Sequence, residues 1–348
     1  MHPHHTPSRK PTLVFVVLPT LLTVTVLVSA SLGQFEIPLS QVLQGTLRSL
    51  GWAAPDPAAQ LADATLWNIR IPRILLGLLV GAALGASGAV MQAIFGNPLA
   101  EPGVIGVSSG AAVGACAAIV FGLNQVGIFT VPLSAFACAL ATTALVYFFS
   151  RVGGRAEVLS MILTGIAVTA VAGALIALMI FMADDTSRDQ IVFWQMGSLN
   201  GATWAAVLTS TPIIILGLAG CFLLARQLNL LALGDRAARH SGVNVERLRL
   251  AAIVCTALLT GAAVAFAGII AFVGLIVPHL LRMLVGPSNQ LLLPASTLGG
   301  AFLIAAADLA ARNLVDFADL PIGIFTALVG GPTFFLLLRR TLRKGSLS

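Results

Sequence analysis

Charge is scarce in this sequence. Of 348 residues, 9% are Asp, Glu, Lys or Arg, and 58% are hydrophobic. Soluble domains carry about 25% charged residues, so a water-soluble fold is excluded, and a mean hydropathy of +0.98 points to a membrane protein. Lysine is nearly missing, with only Lys10 and Lys344. A phosphate-binding loop, G-x-x-x-x-G-K-[ST], needs Ser or Thr after its lysine. Here Pro11 and Gly345 follow the two lysines, so the chain does not bind ATP that way. Four cysteines, Cys116, Cys138, Cys221 and Cys255, all fall in apolar segments without metal-ligand spacing and read as small apolar residues. There is no H-E-x-x-H, no paired carboxylates and no G-x-S-x-G at a strand–helix turn, which disfavours an intramembrane enzyme. Ion-coupled carriers keep ionisable groups within the bilayer. Here only Asp308, near a span end, and His279, just after Pro278, come close, so a secondary carrier is also disfavoured.

Long apolar runs dominate instead. Charges and Pro/Gly breaks divide the chain into ten expected spans: Leu13–Leu32, Ile74–Phe95, Val104–Gly122, Phe129–Ser150, Val158–Met182, Trp204–Leu224, Arg249–Gly268, Ile270–Leu284, Leu291–Leu309 and Leu320–Leu338. Lipid cannot satisfy free backbone N–H and C=O groups, so such runs are helical. The first run follows Arg9 and Lys10 like a targeting signal, but its 20 residues exceed the roughly 7–15 of a signal core and match a full span of about 20. It reads as a retained helix. MHPHH before it reads as a tail, not a metal site. Between Arg249 and Arg282 lie 32 uncharged residues, too many for one span and too few for two full ones. This predicts two helices, at least one of them short or broken near Pro278.

The expected domain is single, 1–348, with a tail at 1–12, an outer segment at 34–65 and an inner loop at 225–248. With both termini inside, Arg9, Lys10, Arg151, Arg155, Arg226, Arg236, Arg239, Arg247, Arg249, Arg282, Arg339, Arg340, Arg343 and Lys344 are inner, which is 14 of the 19 basic residues. Arg48, Arg70, Arg73, Arg188 and Arg312 are outer. Lys/Arg excess marks the cytoplasmic side, so both ends are expected there. The pI near 9.9 follows from this asymmetry, and no nucleic-acid partner is inferred.

Two stretches repeat at an offset of 180. GAALGASGAVMQAIFGNPLAEPGVIG starts at Gly81 and GAAVAFAGIIAFVGLIVPHLLRMLVG at Gly261. Gly81, Gly88, Pro98 and Gly106 align with Gly261, Gly268, Pro278 and Gly286. The copies lie five spans apart, so they run in opposite directions, as in inverted-repeat transporters. Pro and Gly interrupt apolar sequence only where backbone is buried in protein or lines a cavity.

One segment stands out by its charge: LALGDRAARHSGVNVERLR, Leu231 to Arg249. It predicts a short helix from Asp235 to His240, ended by Ser241 and Gly242, on the inner face. A charged knob there suits a soluble partner that supplies energy; a solvated positive-inside loop is the plainer alternative.

RIPRILLGLLVGAALGASGAVMQAIFGNPLAEPGVIGVSSGA resembles the signature of FecCD-type permeases, the membrane subunits of ABC importers for ferric siderophores, cobalamin and heme. LALGDRAARHSGVNVERLR resembles their coupling loop, and AFVGLIVPHLLRMLVG, LLLPASTLGGAFLIAAADLAARN and LPIGIFTALVGGPTFFLLLRR their last helices. The likeness runs from about Leu66 to Arg340. It implies an all-α membrane protein of ten transmembrane helices with the type II ABC importer permease fold, in the bacterial inner membrane. It further implies a homodimer, two ATPase subunits below and a periplasmic binding protein above. ATP and Mg would sit on the partner ATPase, and this chain would bind no cofactor and no metal.

Residue by residue, the resemblance makes Gly234, Asp235, Arg236, Ala237, Ala238, Arg239, His240, Ser241 and Gly242 the ATPase-coupling segment. It makes Arg70, Arg73 and Arg312 the outer cations that meet the binding protein. Asn97 and Leu99 match positions near the cytoplasmic gate. Glu157 and Val158 stand at its second segment, where cobalamin relatives have small hydroxyl residues. FWQMGSLNGATW, Phe193 to Trp204, resembles the external segment of heme permeases, which implies heme as cargo, with ferric siderophore or cobalamin as alternatives. Trp194, Met182 and Met196 are expected near the outer mouth as packing residues.

Overall fold

The computed structural model describes residues 9–152, 155–314 and 320–345. Residues 1–8 of the tail lie outside them. The chain is almost wholly helical. Among the described residues, seven helices are long and apolar enough to cross a membrane, and three more apolar helices are shorter. These ten stand where the sequence places ten spans. In chain order, α1 is Arg9–Ser31, and α2 (Leu39–Ser49) and α3 (Gln60–Thr65) follow in the segment assigned to the outside. A π-helical turn, Leu66–Arg70, leads into α4, Ile71–Phe95. Then come α5 (Val107–Val120), α6 (Thr130–Phe149), α7 (Val158–Met182), α8 (Asp185–Met196) and α9 (Trp204–Leu231). The last five are α10 (Asp235–His240), α11 (Val245–Ala267), α12 (Val273–Val285), α13 (Asn289–Asn313) and α14 (Ile322–Gly345). A two-residue antiparallel pair, β1 (Arg151–Val152) and β2 (Arg155–Ala156), joins α6 to α7.

α4 is the axis of the fold, packed by α13, α11, α9 and α12. Its small-residue sequence, GAALGASGAV, explains why. Lipid tails are as apolar as leucine, so helices associate through close packing and polar contacts rather than through hydrophobic expulsion. Gly81 lies on the backbone of Gly300, Gly85 on that of Ser296 and Gly88 on that of Gly274; a Cβ on any of them would overlap its neighbour's carbonyl. Ser87 and Thr260 share a buried hydroxyl hydrogen bond of 3.1 Å between α4 and α11, the kind of bridge worth about 0.6 kcal/mol within a bilayer.

The inverted repeat survives as an order of elements. A long helix, a break, a short helix and two long helices occur as α4 to α7 and again as α11 to α14. The offset of 180 does not survive. Pro98 sits in the break after α4, whereas Pro278 sits inside α12. The helix-ending glycines that correspond are Gly96 (φ 59°) and Gly268 (φ 68°), both in a backbone region open to glycine.

The two helices expected between Arg249 and Arg282 are present, α12 being the short one, but the break is not at Pro278. The chain breaks earlier, at Gly268 to Phe272, and α12 runs through the proline. Proline cannot donate to the carbonyl four residues before it, which is Gly274. That carbonyl instead packs against Gly88, so the orphaned acceptor is closed off by a close approach of α4. The loop expected at 225–248 is also shorter. α9 continues to Leu231, burying Leu228 and Leu231, and α11 begins at Val245, with the Asn244 side chain accepting from Arg247 N at 3.0 Å.

Candidate functional site

At the end of the molecule formed by 232–244, the short helix forms over the expected residues. Gly234 (φ 97°) and Gly242 (φ 83°) make the two sharp turns that bound α10. Between them Ala238 is fully buried and seats the helix on its neighbours. Ser241 Oγ donates to Ala237 O at 3.0 Å and closes the last turn. Arg236, Arg239 and His240 stand toward the outside, within a helix that is otherwise small: Asp235, Ala237 and Ala238.

Asp235 ties this helix inward. Its carboxylate accepts from Arg249 of α11 at 2.9 Å and pairs with Arg239 at 3.6 Å. Arg249 also donates to Ala156 O at 3.4 Å. From the other side, Glu246 accepts from Ala156 N at 3.1 Å and from the hydroxyl of Tyr147 at 2.8 Å. Tyr147 is the only tyrosine in the chain. One residue, Ala156, is thus held at both its N–H and its C=O by the first turn of α11. The next two residues are Glu157 and Val158, the expected gate segment. Sequence reasoning missed this clamp because nothing in the local pattern of VERLR or ALVYFF marks the two as neighbours.

A cleft of about 490 Å³ opens beside α10. Gly234, Asp235 and Arg249 line it together with Val158 and with Gly96 and Pro98 of the break after α4. Of the expected gate residues, only Val158 reaches the cleft. The Asn97 side chain accepts from Leu99 N at 2.9 Å, so it shapes the break instead. Glu157 starts α7, and its carboxylate accepts from Ser160 Oγ at 2.9 Å. In the cleft's lining, Arg282 donates to Gln92 Oε1 at 3.2 Å and Gln92 to Leu275 O at 3.0 Å, tying α12 to α4. Glu101, also missed from sequence, lies half-buried in the same break; burial pushes its carboxyl above the usual range.

At the opposite end, the three outer cations are buried. Arg70, Arg73 and Arg312 are only 4%, 6% and 8% exposed. Arg70 donates to the carbonyls of Ala30, Ser31 and Phe35, closing the turn after α1. Asp308 pairs with Arg73 at 2.9 Å and with Arg312 at 3.4 Å. Arg312 also donates to Ser29 Oγ at 2.5 Å. On the same side, a cavity of about 720 Å³ lies between α8 and the α11–α12 break. Phe193, Trp194, Ser198 and Asn200 of the external segment line it with Asp185 and Asp189. Trp194 lines this cavity, while Met182 and Met196 are not among its lining residues.

The FecCD transport family profile matches residues 21–340. The chain belongs to this family. It is 40% identical to the hemin transport system permease protein HmuU of Yersinia pestis, over 95% of this chain and 96% of that one. It is likewise 40% identical to the cobalamin import system permease protein BtuC of Halobacterium salinarum, over 92% of this chain and 86% of that one. A solved inward-facing metal-chelate type ABC transporter superposes with a TM-score of 0.83 at 36% identity, covering 95% of this chain and 99% of that one. This FecCD chain is accordingly a membrane permease subunit of a type II ABC importer. In the family the permease is the membrane component, and hydrolysis belongs to a separate subunit.

Proposed function

We propose that the chain forms a homodimeric conduit that passes heme from a periplasmic binding protein to the cytoplasm, driven by two ATPase subunits docked on Gly234 to Gly242. Both termini would then be cytoplasmic, in the inner membrane of a bacterium. The observation that carries this reading is the bonded path from Asp235 through Arg249 to Ala156. It gives a force applied at α10 a stiff route to the start of α7. An ion-coupled carrier has no use for such a route.

The choice of heme rests on the likeness of the segment from Phe193 to Trp204 to that of heme permeases; four of its residues, Phe193, Trp194, Ser198 and Asn200, line the cavity. Identity does not separate the cargoes, because the hemin and cobalamin relatives score alike, so cobalamin and ferric siderophore remain the competing cargoes. The docking role of Arg70, Arg73 and Arg312 rests on the family resemblance; their burial favours a structural role in holding α1, α4 and α13 together.

Proteoliposome uptake with the cognate binding protein and ATPase tests the reading. Heme uptake should exceed that of cyanocobalamin and a ferric siderophore, and should stop when the ATPase is inactivated. Uptake that follows a proton or sodium gradient without the ATPase would overturn it.

A further inference from the structure

A further groove lies between two long helices. It runs between α6 and α11 and holds about 500 Å³. Leu140 and Ala144 of α6 and Leu250, Ile253, Val254 and Leu258 of α11 form its walls, which are almost wholly apolar. Leu250 and Val254 are exposed, as is expected of a surface turned to lipid. Arg151 and Arg247 close one end. Both are exposed, and no carboxylate among the described residues pairs with Arg247.

Dimensions give the groove its meaning. From Leu140 to the end of α6 at Phe149, and from Arg247 to Leu258 of α11, the helical walls rise 9 and 11 residues, about 14 and 16 Å at 1.5 Å per residue. Half of a hydrocarbon core of about 30 Å is about 15 Å. The groove is therefore one leaflet deep, apolar along its length and cationic at its polar end. Glu246 also lies at that end, but its carboxylate is turned to Tyr147 and to Ala156 N.

We infer that this groove binds an anionic phospholipid of the leaflet on the α10 side, its acyl chain between α6 and α11 and its phosphate between Arg151 and Arg247. Basic pockets between helices are the usual seats of anionic headgroups. A neutral or zwitterionic lipid fits the walls equally but gains nothing from the two guanidinium groups. The bound phosphate would brace Arg151, the first residue of β1, against Arg247, one residue from Glu246. It would thereby stiffen the same hairpin that the Tyr147–Glu246–Ala156 clamp holds.

The test uses the full chain in lipid discs with equal phosphatidylglycerol and phosphatidylcholine in both leaflets, so the result does not depend on orientation or cargo. After gentle extraction, native mass spectrometry should find phosphatidylglycerol retained over phosphatidylcholine by roughly thirtyfold, the worth of two basic side chains near a headgroup. R151Q/R247Q should abolish the preference and R151K/R247K should keep it. A144F, which fills the groove without touching charge, should lower retention of both lipids. Equal retention of the two lipids, a preference unchanged in R151Q/R247Q, or retention indifferent to A144F would overturn the inference. Circular dichroism and gel filtration of each variant separate lost binding from lost fold.

Discussion

Arg73 of α4 and Asp308 of α13 stand 235 residues apart in the chain and 2.9 Å apart in space, both nearly buried. The same carboxylate meets Arg312, so one acid organises two guanidinium groups at the convergence of α1, α4 and α13. Removing one member of such a buried set leaves charge that its surroundings cannot solvate. Asp308→Ala should destabilise the chain by about 3–5 kcal/mol, whereas replacing Arg73, Asp308 and Arg312 together by apolar residues of similar size should cost much less. Thermal unfolding in detergent measures both. A loss within about 0.5 kcal/mol for Asp308→Ala would mean that the cluster is solvated and open to a partner.

Glycine should matter at α4 and not everywhere. A Cβ on Gly88 overlaps the Gly274 backbone, while one on Gly173 of α7 meets nothing. Gly88→Ala should cost about 1–3 kcal/mol by forcing α4 and α12 apart. Gly173→Ala should stabilise by up to about 1 kcal/mol through helix propensity. Denaturation midpoints of the two variants should shift in opposite directions.

The clamp on Ala156 should govern coupling more than folding. Arg249→Met and Glu246→Ala each remove charged hydrogen bonds worth roughly 1.5–3 kcal/mol, about tenfold or more in the population of the fastened state. In the assembled importer, cargo moved per ATP hydrolysed should fall by about that factor while hydrolysis continues, and amide exchange at 155–158 should speed up. Tyr147→Phe should have the same direction and a smaller size. An unchanged ratio of transport to hydrolysis would show that force from α10 travels elsewhere.

Glu101 should make stability depend on pH. Burial raises its carboxyl above the ordinary value, so the folded chain holds that proton more tightly than the unfolded one. Stability is then greatest below the ordinary carboxylate range and declines as pH rises through the raised folded value. Glu101→Gln should remove this component and melt higher than the parent at neutral pH, with the two converging in acid. Parallel melting curves from pH 4 to 8 would refute it.

The amino-acid sequence by itself determined the environment, the number of spans, their boundaries to within about four residues except at the ends of α9 and α14, which run seven residues further, and the charged helix at Asp235 to His240. Each of these follows from local quantities: apolar run length, charge asymmetry, and glycine at a turn. The family followed too, because long motifs such as NPLAEPGVIG and DLAARN are contiguous in the chain. Only the tertiary structure decided what the charges do. Arg73 and Arg312 read as outer cations until Asp308 is seen between them, and Glu246 reads as a surface residue until Tyr147, 99 residues away, donates to it. The break after α11 belonged to the same class, since proline can stay inside α12 when the carbonyl it orphans is closed against Gly88. Helix formation in lipid is written along the chain, because every backbone bond is made within one segment. Pairing of polar groups between helices depends on which faces meet, and no single stretch of sequence specifies that.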